Sequence, residues 1–254
     1  MTKKMDFIMR RPHFSKGKNV LFALLLLFFF IANSLHAQKI CMENNKDQII
    51  GLKDGFRYEL WNQYAKGHAC MTISEGALFS GEWSGIENYL ARRGLAYDKK
   101  RKHQEIGDFY ATYDCYYNPS EDKKGNSYLS VYGWTVEPLI EYYIIEDWRN
   151  WVSYMSPDAT FKGSFKTDGS IYDVYTKTRV EKPSIVGITT FQQYFSIRRE
   201  KRNKGSIHIS DHFDQWESKG LTMGKLHEVS FVVEGYKSSG SFEFKELDIF
   251  TKKE

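Results

Sequence analysis

The sequence predicts an all-β protein, a two-sheet β-sandwich of the jelly-roll type with one short α-helix. From residue 55 onward, apolar and polar residues mostly alternate with a period of two. The alternating runs are rich in β-branched and aromatic residues, and clusters of Gly, Asn, Asp and Ser separate them. About a dozen such runs with a single helical pattern are typical of two packed antiparallel sheets.

Twelve runs have the strand pattern. In chain order they are FRYELW, ACMTIS, ALFSGEW, GDFYATYDCYY, SYLSVYGWT, LIEYYIIEDW, TFKGSFK, SIYDVYTKT, TTFQQYFSIRR, GSIHIS, EVSFVVEGYKS and FEFKELDIF. Segments such as NPSEDKKGN and TDGS supply the turns between them. Residues 38–50, QKICMENNKDQII, have no strong period and are predicted to be a tail or an added edge strand.

The segment SDHFDQWESKG has the helical pattern. Ser210 or Asp211 is expected to cap its start, Phe213 and Trp216 share one face, and Gly220 ends it. The histidines at positions 208 and 212 are four residues apart, which is a possible metal-ligand spacing. Because they flank a helix start, we expect them to be surface residues, and we expect no metal site and no cofactor.

The amino-terminal residues 1–37 have the pattern of a secretory signal peptide. A stretch with several Lys and Arg residues precedes the apolar run LFALLLLFFFIA at 21–32, and a polar segment ending at Ala37 follows. The apolar run is shorter than the roughly 20 residues that a membrane-spanning helix needs. The sequence therefore predicts a secreted protein, extracellular and without a membrane anchor once this segment is cleaved.

The charge of the remaining chain argues against two classes of partner. The full sequence has a formal net charge of +4, but residues 1–37 hold six of the 36 Lys and Arg residues and one of the 32 acidic residues. Without them the net charge falls to about −1, too little positive charge to attract nucleic acid or an anionic membrane. We expect an uncharged partner and a monomeric protein.

Three cysteines, Cys41, Cys70 and Cys115, follow the predicted signal peptide. In an exported protein two of them are expected to form a disulfide and the third to stay free. The sequence does not choose among the three possible pairings.

Two glutamates lie in apolar strands, where an uncompensated carboxylate costs several kcal/mol or more. Glu141 lies in PLIEYYIIEDW and Glu234 lies in HEVSFVVEGYKSSGS, each next to or near tyrosine. Cleavage of a glycosidic bond requires such a pair: one carboxyl group protonates the leaving oxygen, and the other attacks the sugar or activates water. The pair therefore indicates a glycoside hydrolase.

Aromatic residues support a carbohydrate ligand. They make up 16% of the sequence, and Tyr128, Tyr132 and Trp134 alternate on one strand, so that they share a face. Flat rings with a polar tip can stack on sugar rings and bond their hydroxyl groups. Ordinary packing of a β-sandwich also uses aromatic residues, so composition alone leaves both interpretations open.

The segments NSYLSVYGWTVEPLIEYYIIEDW and VVEGYKSSGS together resemble the two signature regions of glycoside hydrolase family 11, the secreted endo-1,4-β-xylanases. The similarity extends over the chain from Gly55 onward through YELW, WSGIENYLARRG, YDVYTKTRVEKPSIVG and TTFQQYFSIR. It implies a jelly roll curved into a cleft, likened to a partly closed right hand with a hairpin thumb. It also implies that xylan and xylo-oligosaccharides are the substrates and that residues 51–254 form the catalytic domain.

The resemblance also implies roles for single residues. Glu141 corresponds to the nucleophile and Glu234 to the acid/base. Tyr132 and Tyr143 correspond to the tyrosines that hold the reacting sugar and the nucleophile. The other positions implied to bind substrate are Trp61 as a stacking platform at the distal, non-reducing side, Asn88 beside the acid/base, Asn126, Tyr128 and Trp134 along the cleft, Arg179 at the base of the thumb, Pro183, Ser184 and Ile185 at its tip, and Gln193.

Some positions depart from the family pattern or refine it. Phe195 occupies a position where many members have Trp, and His227 or Glu228 lies where a tyrosine often precedes the acid/base. An amide at Asn88 goes with a near-neutral pH optimum. Glu87, next to Asn88, is expected to point to the opposite face of the strand because side chains alternate.

Retention of configuration is implied, with carboxyl groups about 5 to 5.5 Å apart. The charge on Glu141 is then expected to raise the pKa of Glu234 by like-charge repulsion and to keep it protonated. Two alternatives share the jelly roll: a non-catalytic carbohydrate-binding module or lectin, which needs neither glutamate, and a β-glucanase or cellulase, which prefers a glucan substrate.

Overall fold

Two sheets and one helix are formed by the residues that the computed structural model describes, which are 37–43, 47–120, 125–150 and 156–253. The smaller sheet contains β1 (Gln38–Glu43), β4 (His68–Ile73), β5 (Phe79–Ser84), β7 (Asp108–Pro119), β13 (Lys204–His208) and β15 (Gly240–Lys252). The larger sheet contains β2 (Gln48–Lys53), β3 (Phe56–Asn62), β6 (Asn88–Ala96), β8 (Asn126–Val136), β9 (Ile140–Arg149), β10 (Thr160–Thr167), β11 (Ser170–Ser184), β12 (Gly187–Arg198) and β14 (Lys225–Tyr236). The helix is α1 (Ile209–Ser218).

The strand order is that of a jelly roll. The smaller sheet runs β1-β4-β5-β15-β7-β13, and the larger runs β10-β11-β12-β9-β8-β14-β6-β3-β2. Neighbours are antiparallel except β12 and β9, which are parallel. The predicted all-β fold, with its two sheets and one helix, is confirmed.

The central strands β8 and β9 are buried on both faces, which explains their nearly continuous apolar sequences. On β8, Leu129 and Val131 point into the core between the sheets. Tyr128, Tyr132 and Trp134 belong to a second apolar cluster, on the other face of the strand. The larger sheet therefore has an aromatic face that does not contribute to the main core.

Strand β6 was not among the twelve predicted strands, because two arginines interrupt its apolar pattern. Both side chains are nevertheless buried. Arg93 donates to the carbonyl groups of Ser74 and Leu78 at 2.9 and 2.6 Å. Arg92 forms ion pairs with Glu59 and Glu228. Arginines whose charges and N–H groups have such partners can be buried inside a strand. A pattern of alternating apolar and polar residues cannot identify such a strand.

Residues 38–50 contribute edge strands, in agreement with one of the two alternatives for this segment. β1 lies at the edge of the smaller sheet and β2 at the edge of the larger sheet. Cys41 and Cys70 lie opposite each other in the β1–β4 pair and form a disulfide. Cys115 is buried and free.

The helix α1 differs from the sequence prediction at its start. His208 is the N-cap residue and provides no side-chain cap. The hydroxyl group of Ser210 does not cap the helix but accepts a hydrogen bond from the backbone N–H of Phe109 at 2.9 Å. The predicted apolar face is correct, because Phe213 and Trp216 are fully buried. Gly220 follows the helix with a φ of +77°, which suits glycine.

The prediction that both histidines lie on the surface is wrong for His212. Its side chain is fully buried and packs edge-on against Tyr172, with its Nε2 3.5 Å from Asp168. The apolar face of a short helix has room for an imidazole when a carboxylate lies nearby, and the four-residue spacing alone does not reveal this. His208 is partly exposed and contacts Asp108 at 2.6 Å.

Residues 1–36 of the predicted signal peptide lie outside the described part of the chain. Among the described residues, no helix is long and apolar enough to cross a membrane.

Candidate active site

A cleft of about 810 Å³ lies along the aromatic face of the larger sheet. Side chains from β3, β6, β8, β9, β11, β12 and β14 line it. Every residue predicted to act in catalysis or substrate binding borders this one cleft: Trp61, Asn88, Asn126, Tyr128, Tyr132, Trp134, Glu141, Tyr143, Arg179, Pro183, Ser184, Ile185, Gln193 and Glu234. The fold thus brings together residues that are up to 173 positions apart in the sequence.

Glu141 is held by three hydrogen-bond donors. The hydroxyl groups of Tyr132 and Tyr143 lie 2.8 and 3.2 Å from its Oε1, and the amide of Gln193 donates to its Oε2 at 2.5 Å. The side chain is only 8% exposed. Burial raises the pKa of Glu141, while these donors and the charge of Arg179 act to lower it. Donors fixed in this way favour the ionised carboxylate.

Glu234 has fewer hydrogen-bond donors than Glu141, and its pKa is raised. The Asn88 amide donates to its Oε1 at 2.9 Å, and the Tyr143 hydroxyl lies 3.0 Å from its Oε2. Burial raises the pKa of Glu234 to about 7, opposed by the Asn88 hydrogen bond and helped by the charge of Glu141. Like-charge repulsion from Glu141, the cause expected from the sequence, is wrong as the main cause of this rise, because desolvation contributes more.

The hydroxyl group of Tyr143 connects the two carboxyl groups. It lies within hydrogen-bond distance of Oε1 of Glu141 and Oε2 of Glu234, so these two oxygens are at most about 6 Å apart, below the wider spacing typical of inverting glycosidases. A phenol has only one proton to donate. The Tyr143 hydroxyl group therefore donates to only one of the two carboxyl groups at a time.

Aromatic contacts fix the tyrosines that hold the carboxyl groups. The ring of Tyr143 stacks on Phe195 at 5.2 Å and meets Tyr132 edge-on at 4.9 Å. The indole N–H of Trp134 donates to the Tyr132 hydroxyl at 2.5 Å. Phe195, at the position where the family pattern often has Trp, borders the cleft as well. A rigid aromatic wall therefore positions both hydroxyl groups.

The hairpin of β11 and β12 covers one side of the cleft. Pro183 and Ser184 pair with Ile188 and Gly187 next to its turn, and the Ser184 hydroxyl donates to the Gly187 carbonyl at 2.6 Å. Arg179 lies farther down the hairpin, and its charge lowers the pKa of both Glu141 and Glu234. This hairpin occupies the place of the predicted thumb.

Sequence reasoning missed a buried ionic cluster below the tyrosines. Arg92 lies 2.9 Å from Glu228 and also pairs with Glu59, and its guanidinium group lies 5.0 Å from the centre of the Tyr132 ring. The amide of Gln48 donates to Glu59 at 2.8 Å. The alternation of β3 places Glu59 on the same face as Trp61, which was a usable signal.

The expectation for Glu87 is wrong. Glu87 lies just before β6 begins, so the alternation of that strand does not apply to it. Its side chain borders the cleft together with Asn88, and its Oε1 lies 3.4 Å from Lys237.

Comparison with known proteins gives consistent results. Residues 53–245 match the model of the glycosyl hydrolases family 11. An endo-1,4-beta-xylanase A of Bacillus pumilus is 43% identical over 222 residues, which cover 87% of this chain and 92% of the relative. An endo-1,4-beta-xylanase A of Thermoclostridium stercorarium is 48% identical over 194 residues, 76% of this chain but 28% of that longer protein.

A solved structure, the family 11 xylanase from Neocallimastix patriciarum, is similar with a TM-score of 0.78 and 38% identity. The similarity covers 85% of this chain and all of the solved chain.

Proposed function

The chain belongs to family 11 of the glycosyl hydrolases, and on that premise we propose that it is a secreted endo-1,4-β-xylanase that cleaves internal bonds of xylan with retention of configuration. The observation that carries the mechanism is the Tyr143 hydroxyl group between the two carboxyl groups. It keeps one oxygen of each carboxyl group within about 6 Å of the other, closer than the roughly 6.5 to 9.5 Å typical of inverting glycosidases, and this supports retention.

In the first step, Glu141 attacks the anomeric carbon. The bond from this carbon to the leaving sugar oxygen breaks while a bond to a carboxylate oxygen of Glu141 forms. Glu234 gives its proton to the leaving oxygen. The three donors on Glu141 favour the carboxylate form that attacks, and the pKa of Glu234 of about 7 keeps Glu234 protonated below that pH.

In the second step, Glu234 takes a proton from water, and the oxygen of that water attacks the anomeric carbon. The ester bond to Glu141 breaks, so Glu141 becomes a carboxylate again and Glu234 a carboxylic acid. Esterification of Glu141 has by then removed its charge from the neighbourhood of Glu234. The pKa of Glu234 therefore falls between the steps, as an acid that becomes a base requires.

The substitutions Glu141→Ala and Glu234→Ala test these roles. Each is expected to leave a folded protein and to reduce the release of reducing sugar from xylan by several orders of magnitude. Near wild-type activity in either variant would contradict the assignment. Wild-type protein that binds xylan without releasing sugar supports the binding-module alternative, and preference for carboxymethyl cellulose or mixed-linkage glucan supports the glucanase alternative.

Secretion and a monomeric state belong to the same proposal. The Cys41–Cys70 disulfide supports an oxidising compartment outside the cytosol. Expression of the full chain with sequencing of the exported protein tests this, and the expected new amino terminus follows residue 37. A cytosolic, uncleaved protein would contradict it. Size-exclusion chromatography with light scattering tests the monomer.

A further inference from the structure

Positive charge collects at one place on the wall of the cleft. Arg57 on β3, Lys99 in the loop after β6 and His227 on β14 all border the cleft. The Nη1 of Arg57 lies 3.2 Å from the Nε2 of His227. The backbone N–H of Tyr97 donates to the His227 carbonyl at 2.8 Å, which ties the loop that carries Lys99 to the same strand. These three side chains are called the basic cluster below.

The imidazole of His227 carries no charge in this cluster. Arginine has only donor groups, so Nε2 of His227 must accept from Arg57, and the ring proton is on Nδ1. Burial and the charges of Lys99, Arg57 and Arg92 lower the pKa of His227 to about 3. The neutral His227 ring therefore adds no charge to the basic cluster and does not offset the charges of Arg57 and Lys99.

Acidic groups in the neighbourhood are already engaged elsewhere. Glu59 accepts from Gln48 at 2.8 Å and pairs with Arg92, while Arg57 reaches it only at 3.9 Å. Glu228 pairs with Arg92 at 2.9 Å. Among the described residues, Lys99 has no carboxylate within ion-pair distance. In the basic cluster, Lys99 therefore has no ion-pair partner among the described residues, and Arg57 has only the long 3.9 Å contact with Glu59, which it shares with Arg92.

The position of the basic cluster fits a substituent on a bound polysaccharide. Trp61, Glu59 and Arg57 alternate along β3 and face the cleft together, so Arg57 lies about 13 Å from Trp61 along the strand. A sugar chain that stacks on Trp61 can thus carry a side group to Arg57. The guanidinium group, with 24% of its side chain exposed, can bind a carboxylate through two parallel hydrogen bonds.

We propose that the basic cluster of Arg57, Lys99 and His227 is a subsite for the carboxylate of a uronic acid side group on xylan. The proposal rests on the xylanase function proposed above and narrows its substrate class to acidic xylan. The low net charge of the whole chain predicted an uncharged partner, but a local cluster of cations decides the interaction at close range, because screening limits charge effects to about 10 Å at 0.1 M salt.

A matched pair of substrates tests the subsite. One is a xylo-oligosaccharide with a single glucuronic acid side group, and the other is the same compound after reduction of its carboxyl group to a neutral alcohol. The wild-type protein is expected to have a kcat/KM about five to ten times higher for the acid at low ionic strength, the size expected for a partly exposed charged hydrogen bond. This preference should shrink as salt is added.

Variants locate the effect. Lys99→Met and Arg57→Gln are each expected to bring the ratio of the two kcat/KM values toward one. Lys225→Met serves as the control, because Lys225 pairs with Glu137 and does not border the cleft. A ratio of one in the wild-type protein, or a ratio that neither variant changes, would overturn the subsite. Lys99 is an exposed loop residue, so its variant stays informative even if Arg57→Gln does not fold.

Hydrolysis of unsubstituted xylohexaose separates the two proposals. If the wild-type protein does not cleave it, the proposed xylanase function fails. If the protein cleaves it normally while the acid and its reduced form react equally, only the subsite fails.

Binding gives a second readout that does not depend on turnover. In the Glu234→Gln variant, NMR titration of the His227 imidazole is expected to show a higher pKa with the acidic oligosaccharide bound, because its carboxylate offsets the neighbouring cations. The reduced compound should leave this pKa where it is in the free protein. Equal titration curves with the two ligands would place the carboxylate away from the basic cluster and contradict the proposal.

Discussion

Removal of one oxygen atom, by Tyr143→Phe, tests the link between the two carboxyl groups. The Tyr143 hydroxyl lies 3.2 Å from Glu141 and 3.0 Å from Glu234. The ring stacks on Phe195 at 5.2 Å, and phenylalanine can keep that contact. The substitution therefore changes the hydrogen bonds of the carboxyl groups and little of the packing.

The expected magnitude follows from the charge on the acceptor. A hydrogen bond to a charged group contributes about 1.5 to 3 kcal/mol, which corresponds to a loss of roughly 10- to 150-fold in kcat/KM. The Tyr143 hydrogen bond also lowers the pKa of Glu234, so its removal raises that pKa. Because the general acid must be protonated, the alkaline limb of the pH profile is expected to move to higher pH.

The assay is kcat/KM on xylohexaose between pH 4 and 9, in which a tenfold change corresponds to about 1.4 kcal/mol of activation free energy. Thermal unfolding of each variant checks that it is folded. Tyr116→Phe is the control, because Tyr116 is 60% exposed and does not border the cleft. Wild-type kcat/KM and an unchanged alkaline limb in Tyr143→Phe would refute the claim that this hydroxyl group couples the two carboxyl groups.

Three further substitutions give distinct signatures. Asn88→Ala removes a hydrogen bond that lowers the pKa of Glu234, so the alkaline limb of kcat/KM should move up, and a downward shift would contradict it. Gln193→Ala removes the 2.5 Å bond that favours ionised Glu141, so the acid limb should move to higher pH; an unchanged limb would count against that role. Cys41→Ser removes the disulfide to Cys70, which has a sequence separation of 29. Calorimetry should show a Tm lower by about 5 to 10 °C. An equal Tm would show that the disulfide does not constrain the unfolded chain.

Much of the fold was predictable because the central strands have clear sequence patterns. The period of two and the apolar runs on either side of Glu141 reflect a strand buried on both faces, and the structure confirms that arrangement. The prediction missed a strand that contains buried charged residues whose charges are balanced by partners. Arg92 and Arg93 are charged residues in a strand interior, and only their partners, distant in sequence, show why they are tolerated.

The candidate site also has features that the sequence could predict and features that it could not. Glu141 and Glu234 were identifiable because a carboxylate in an apolar strand is costly, and the structure places both in one cleft. The cause of the raised pKa of Glu234 was not identifiable, because desolvation depends on atoms from several strands. The basic cluster was also hidden, since Arg57 and His227 are 170 residues apart.

The covalent step is the central claim, and one measurement tests it most directly. The protein is incubated with a xylobioside that carries fluorine at C2 and a good leaving group, which slows the second step more than the first, and the digest is examined by mass spectrometry. A fluoroxylobiosyl ester on the peptide that contains Glu141 is the predicted result. An unlabelled Glu141 peptide, with a first-formed product of inverted configuration, would contradict the two-step mechanism.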